Sequence, residues 1–97
     1  MFAEGQGTKK NISQAINWYQ KAALLGNAEA QYNLALLFLE EQTDHSDPMK
    51  AFYWVTKAAE QDKPEAALLL GYLYYEGIGT KPNLEKAHKW YLKGSPP

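Results

Sequence analysis

The 97-residue sequence has no cysteine, only two histidines, and no excess charge of either sign, its ten Lys plus Arg standing against eleven Asp plus Glu. Without Cys there is neither a disulfide framework nor a thiolate metal site, and His45 and His88 alone cannot complete a structural zinc site. A net charge of −1 supplies no field to draw in nucleic acid or an anionic membrane. The longest apolar runs, such as residues 34–39, fall far below the roughly 20 residues of a membrane-spanning helix. Met1-Phe2-Ala3-Glu4-Gly5 lacks the basic and apolar regions of a signal peptide. The expectation is a soluble chain with no metal, no cofactor, no nucleic-acid partner and no membrane partner, in an undetermined compartment. Length alone suggests one small domain with a single core.

What the chain does have is an internal period. Trp18, Trp54 and Trp90 are 36 residues apart, and the same step links Ala15, Ala51 and Ala87, then Lys21, Lys57 and Lys93, then Glu4, Glu40 and Glu76. Related columns share the register: Phe2, Phe38 and Tyr74; Leu34 and Leu70; Ala35 and Gly71; Asn11, Asp47 and Asn83. A period in this range signals stacked supersecondary units that bury their apolar faces against one another. The units divide as residues 1–26 (partial), 27–62 and 63–97.

Each period reads as two helices. In the middle unit the first runs from about residue 28 to 41, with Leu34, Leu37 and Phe38 on one face at i, i+3, i+4. The second runs from Pro48 to about Gln61, with Asp47 placed to cap it and Pro48 at the first helical position, where its missing donor is no loss. Asn11 and Asn83 occupy the same cap column. Gly26 and Asp62 stand where a left-handed residue ends a helix. With no period-2 alternation, the fold class is all-α: an α/α superhelix, or solenoid, of antiparallel helix pairs. Ala15, Ala22 and Ala23, repeated as Ala51, Ala58 and Ala59, let helices approach closely, and the tryptophans are expected to fill the space between units.

The string Ala-Leu-Leu-Leu-Gly-Tyr-Leu-Tyr-Tyr-Glu-Gly-Ile-Gly-Thr-Lys-Pro-Asn at 67–83, followed by Glu85-Lys86-Ala87 and Trp90-Tyr91, resembles the Sel-one-like repeat, a tetratricopeptide-related helical unit of about 36 residues. Residues 15–26 resemble the second half of the same unit, so nearly the whole chain is covered. The Glu-Gly-x-Gly-Thr-Lys turn occurs at 4–9 and 76–81, and is replaced at 40–45 by Glu-Glu-Gln-Thr-Asp-His. The cysteine pair of some secreted members is missing. The resemblance implies a protein-interaction scaffold, often in bacterial or endoplasmic-reticulum complexes, and no activity.

The register starts inside a unit, since Met1 to Glu4 match Leu37 to Glu40, the end of a first helix. The helix from Ile12 to Leu25 then lacks its own first-helix partner, and its face around Ile16 and Tyr19 is expected to be exposed. Two readings follow, a slice of a longer array or a bare end that pairs with another chain.

Four further candidate sites have plainer roles. The Gly77-Ile78-Gly79-Thr80-Lys81 loop lacks the spacing and preceding strand of a phosphate-binding loop, so its glycines are assigned to a tight turn. Asp44, His45, Ser46 and Asp47 are loop neighbours, and adjacent residues seldom form a catalytic triad. Glu40 and Glu76, at equivalent ends of adjacent first helices about 10 Å apart, read as a column of surface acids. Lys86, Lys89 and Lys93 read as a solvated helix face.

The most informative candidate is a second apolar stripe on the first helices, Tyr32, Leu36 and Leu39, repeated as Leu68, Tyr72 and Tyr75. By the tetratricopeptide resemblance this phase lines a concave groove edged by Glu29, Glu40, Glu65 and Glu76, with no lysine at the groove positions. The reading is a non-catalytic scaffold whose partner-binding residues are Tyr32, Leu36, Leu39, Leu68, Tyr72, Tyr75, Glu40 and Glu76. The expected partner is a protein or peptide with apolar anchors and a basic flank. The alternatives are a homo-oligomerisation segment, such as a homodimer through exposed repeat ends, and an enzyme, for which no nucleophile, metal cluster or convergent acid pair is evident.

Overall fold

The computed structural model describes residues 8–40 and 46–96. Five helices follow one another: α1 (Thr8–Leu24), α2 (Ala28–Leu39), α3 (Pro48–Ala59), α4 (Pro64–Glu76) and α5 (Leu84–Gly94). No strand occurs among the described residues. Helices adjacent in sequence pack on each other, so α2 pairs with α3 and α4 with α5, while α1 and α3 make the joints to the following unit. The result is an all-α solenoid of 41 × 25 × 23 Å.

Local chemistry sets the helix boundaries. The Asn27, Asp47 and Asn83 side chains accept hydrogen bonds from the backbone N–H groups of Ala30, Lys50 and Lys86 at 2.9, 3.2 and 2.9 Å, satisfying donors that a helix start leaves orphaned. Proline occupies the start of α3 and α4. The turn inside each pair repeats its contacts one period apart. Asp47 N–H donates to the Phe38 carbonyl and Asn83 N–H to that of Tyr74, both at 2.8 Å, while Lys50 and Lys86 each hold Nζ 5.6 Å from the Phe38 and Tyr74 ring centroids. Between pairs, Gly26 (φ +94°) and Asp62 (φ +66°) take the left-handed conformation that ends a helix. Asn11 differs from the cap expected of it: α1 begins at Thr8, so the helical backbone runs through that position.

The core is a row of repeated contacts. Leu34, Ala35 and Phe38 of α2, Ala51, Val55, Ala58 and Ala59 of α3, and Ala66, Leu70 and Leu73 of α4 are buried in one cluster. Small residues set the helix spacing. A Cβ added to Gly71 would lie 3.0 Å from the Ala87 carbonyl oxygen and 3.2 Å from the Tyr91 ring, which is how close α4 and α5 run. An amide pair, Gln31 buried and Gln61 exposed, ties units together: Gln31 Nε2 donates to the Ala23 carbonyl at 3.1 Å, and Gln61 Nε2 donates both to Gln31 Oε1 at 3.0 Å and to the Gly26 carbonyl at 2.9 Å.

Two packing expectations are corrected. Trp54 is 8% exposed and Trp90 half-buried, but Trp18 is 74% exposed. Trp54 borders a cleft with Ala23, Gly26 and Gln31, and Trp90 borders one with Ala59, Asp62 and Ala67, the same positions one period on. The counterparts for Trp18 would lie 36 residues before Ala23 and Gln31, ahead of residue 1. Conversely, Ile16 is buried and Tyr19 half-buried. Their column packs on the first helix of the next unit, as Ile16 does in the core shared with α2, so the exposed large apolar residues here are Trp18 and Leu24 of α1 and Leu25 just after it.

The Glu-Gly-x-Gly turn at 76–79 is a packed joint. Gly77 (φ +73°) ends α4 with its N–H bonded to the Leu73 carbonyl at 2.8 Å, and the Ile78 N–H donates to the same oxygen at 2.9 Å. Gly79 (φ +75°) passes so close to α3 that an added Cβ would strike the Pro48 carbonyl oxygen and stand 2.9 Å from Phe52 Cβ. Glu4, Asp44 and His45 lie outside the described residues, whereas Asp47 of that loop is engaged as the α3 cap.

Candidate partner-binding face

Each first helix has one face spent on the core. On α2 the buried positions are Ala30, Gln31, Leu34, Ala35 and Phe38, and on α4 they are Ala66, Ala67, Leu70, Gly71 and Leu73. The apolar residues left over, Tyr32, Leu36 and Leu39 on α2 and Leu68, Tyr72 and Tyr75 on α4, share another phase of the helix. Leu36 is 41% exposed, Tyr72 44% and Tyr75 56%, Leu68 is also exposed, and Tyr32 and Leu39 are half-buried. Among the described residues each first helix has one neighbour of its kind, α4 following α2 and α2 preceding α4. In both arrangements the middle of the stripe, Leu36 or Tyr72, stays open.

The base of the stripe leans on the second helices. A Cβ at Gly94, the end of α5, would lie 2.8 Å from Leu68 Cγ and from the Pro64 carbonyl oxygen, so Leu68 is seated against α5, and Tyr75 borders a groove along the same helix.

The electrostatics differ from the expected acidic rim. Lys63, whose side chain is 16% exposed, places Nζ 2.7 Å from Glu29 Oε1 and 3.7 Å from Glu65 Oε1, with Nζ 5.5 Å from the Tyr32 ring centroid. The Lys63 hydrogen bond holds the Glu29 carboxyl below its usual range, and the bond to Glu29 raises the Lys63 ammonium above its own. A lysine therefore does stand at the N-terminal edge of the stripe. The helix-face reading missed it because Lys63 precedes α4, in the column where Asn27 caps α2; the available signal was its place two residues before the column of Glu29 and Glu65.

At the other end, Glu40 caps the C-terminus of α2 and Glu76 closes α4, and neither last turn carries a basic residue. The exposed carbonyls at a helix C-terminus carry negative partial charge, and the Glu76 carboxylate closing α4 has the same sign, while at the other end Lys63 and Glu29 largely neutralise each other. Among the described residues no group of His, Cys, Asp or Glu is placed to hold a metal, no buried side-chain N or O lacks a hydrogen-bond partner, and no helix is long and apolar enough to cross a membrane.

Stacked helix pairs with a repeated, partly open apolar stripe define the class of α/α solenoid scaffolds. Residues 1–27, 28–63 and 64–95 each match the Sel1 repeat, and the chain belongs to the Sel1 repeat family, whose members generally serve as protein-interaction scaffolds. It is 34% identical over 80 residues to the Sel1-repeat-containing protein YjcO of Escherichia coli K12, covering 78% of this chain and 34% of that one. Among solved structures it is similar to a Sel1 repeat protein from Oxalobacter formigenes, with TM-score 0.76 and 40% identity over 81% of this chain and 32% of that one. It is likewise similar to a protective antigen of uropathogenic Escherichia coli strains, with TM-score 0.80 and 36% identity, covering 84% of this chain and 17% of the antigen. The chain thus spans between 17% and 34% of the length of these longer proteins.

Proposed function

We propose that this chain is a non-catalytic scaffold that captures a peptide or partner helix on the concave stripe of Tyr32, Leu36, Leu39, Leu68, Tyr72 and Tyr75. The observation that carries the reading is the exposure of Leu36, Leu68, Tyr72 and Tyr75 on helices whose opposite face is buried. Aromatic and aliphatic side chains held on rigid helices are the anchors such interfaces use. Glu76 gives the partner its polarity. With the helix dipoles it favours a basic flank beside the C-terminal ends of α2 and α4, because carboxylate and dipole have the same sign there. The Lys63 end contributes shape and stacking more than charge, its ammonium being committed to Glu29.

The test is selection of peptides on the intact chain from a random library, followed by titration against variants. Selected sequences are expected to combine apolar residues with Lys or Arg on one flank. Leu36→Asp and Tyr72→Asp should each weaken capture at least tenfold with helix content unchanged. Capture unaffected by both substitutions would sink the site assignment.

A second reading, assembly of copies through the ends of the solenoid, is favoured by the exposed Trp18, Leu24 and Leu25 at one end and Leu84 and Leu92 at the other.

A further inference from the structure

The charges on the helices are sorted. α1 and α3 contain no Asp or Glu, α2 and α4 contain no Lys or Arg, and α5 sets Lys86, Lys89 and Lys93 against Glu85. The small net charge thus conceals basic second helices and acidic first helices. Lys57 of α3 is exposed and pairs with no carboxylate among the described residues.

Lys57 borders a cleft of about 210 Å³ between α1 and α3. The floor is Ala23, Gln31 and Trp54, all buried, and the lip is Leu24 and Tyr53, 70% and 52% exposed. Gly26 completes the wall, and nothing lies within 4 Å of a Cβ built on it. This floor has no free polar atom to offer. The Gln31 amide is spent on the Ala23 carbonyl and on Gln61, and the Gly26 carbonyl also accepts from Gln61. No acid borders the cleft, since Glu60 lines instead the neighbouring depression that shares Tyr53 and Lys57. Lys57 Nζ lies 5.4 Å from the Tyr53 ring centroid, and the Tyr53 ring meets that of Trp54 edge-on at 4.9 Å, so the cation is held on the aromatic wall.

Both walls belong to the chain, so the opening does not depend on where the sequence starts or stops. Leu24 holds the position of Glu60 one period later, and Glu60 is exposed with units on both sides of it. At Trp90 the equivalent cleft has shrunk to about 60 Å³, with Asp62 in place of Gly26 and with Lys63 and Pro64 in the lining. Only the cleft at Trp54 has room for a side chain. An engineered cavity of about 150 Å³ holds a benzene ring, so this one admits an aromatic residue.

We propose that the α1–α3 cleft docks a second peptide segment, which inserts one aromatic side chain between Leu24 and Tyr53 and sets an adjacent Asp or Glu carboxylate against Lys57. The charge is opposite to that of the segment expected on the stripe, so the two sites select different partners and can be filled at once. Leu24 is shared with the assembly reading, whereas Tyr53 and Lys57 belong to the cleft alone.

Titration of the intact, isotope-labelled chain with capped peptides, followed by nuclear magnetic resonance, tests this. Gly-Phe-Glu-Glu-Gly should move the backbone resonances of Gly26 and Lys57 and the indole resonance of Trp54. Gly-Ala-Glu-Glu-Gly should bind roughly tenfold more weakly, having no ring to bury, and Gly-Phe-Lys-Lys-Gly roughly fivefold more weakly. Lys57→Glu, at an exposed position, should reverse the order of the two charged peptides, with the unperturbed remainder of the spectrum reporting an intact fold. Tyr72→Asp, on the stripe, should change none of this, which keeps failure of one site distinct from failure of the other. An alanine peptide that binds as well as the phenylalanine one reduces the effect to attraction of any polyanion and overturns the proposal. Loss of binding in Tyr72→Asp, an order unchanged by Lys57→Glu, or no shifts at millimolar peptide overturns it equally.

Discussion

Gly79→Ala should cost clearly more stability than Gly26→Ala, although both glycines have positive φ. An L-residue in the left-handed region loses about 1–2 kcal/mol, of which about 0.4–1 kcal/mol is returned because alanine has less freedom in the unfolded chain. For Gly26 that is the whole effect, since nothing lies within 4 Å of an added Cβ. For Gly79 the same Cβ would strike the Pro48 carbonyl oxygen and sit 2.9 Å from both Pro48 C and Phe52 Cβ. Those are backbone and branch-point atoms that cannot rotate away, and overpacking of this kind costs typically about 1–3 kcal/mol more. Urea unfolding followed by far-ultraviolet circular dichroism reads the difference; at a slope of about 1–3 kcal/mol/M the two midpoints should separate by roughly 1 M. Asp62→Gly supplies the reverse sign. It relieves the strain of φ +66° and should be neutral to stabilising by up to about 1 kcal/mol. Equal losses for Gly26→Ala and Gly79→Ala would refute the packing of the 76–79 turn on α3.

The tryptophan column makes a second contrast. Trp54→Ala should cost about 3–5 kcal/mol, as for a large aromatic removed from a core, while Trp18→Ala should stay within about 0.5 kcal/mol as an exposed substitution; thermal unfolding of the two variants distinguishes them. The Lys63 pair predicts a pH dependence at both extremes. Glu29 has a folded value below its unfolded one, so its contribution is full above the ordinary carboxylate range and fades as pH falls through the lowered folded value. Lys63 has a raised folded value, so its contribution is full below the ordinary lysine range and is lost as pH climbs through the raised one. Urea midpoints of wild type and Glu29→Gln should accordingly converge at both ends of the pH scale, and a difference independent of pH would refute the pairing.

Much of this architecture is legible from residue spacing. The 36-residue columns locate the helix pairs, because a unit that cannot bury its own apolar face must repeat the residues that bury it against the next. Asp47, Asn83, Gly26 and Asp62 mark helix ends through chemistry confined to a few residues of backbone. The stripe of Tyr32, Leu36, Leu68, Tyr72 and their neighbours follows from helix periodicity once the core positions are subtracted. Each of these inferences draws on contacts close along the chain or related by the period.

The failures share a cause. Trp18, Trp54 and Trp90 are one column in sequence, yet their exposures differ because burial depends on which unit lies alongside, and at Trp18 the counterparts of Ala23 and Gln31 are not in the chain. Ile16 is covered by the following unit instead of its own. Lys63 reaches back across 34 residues to Glu29, over the Tyr32 ring, from a cap position that no helix-face pattern includes. Periodicity thus determines what every unit has in common, since it reflects the same local folding repeated. The differences between units, such as the buried or bare tryptophan and the acid rim interrupted by a lysine, come from stacking, because each depends on a neighbour brought alongside only when the chain folds.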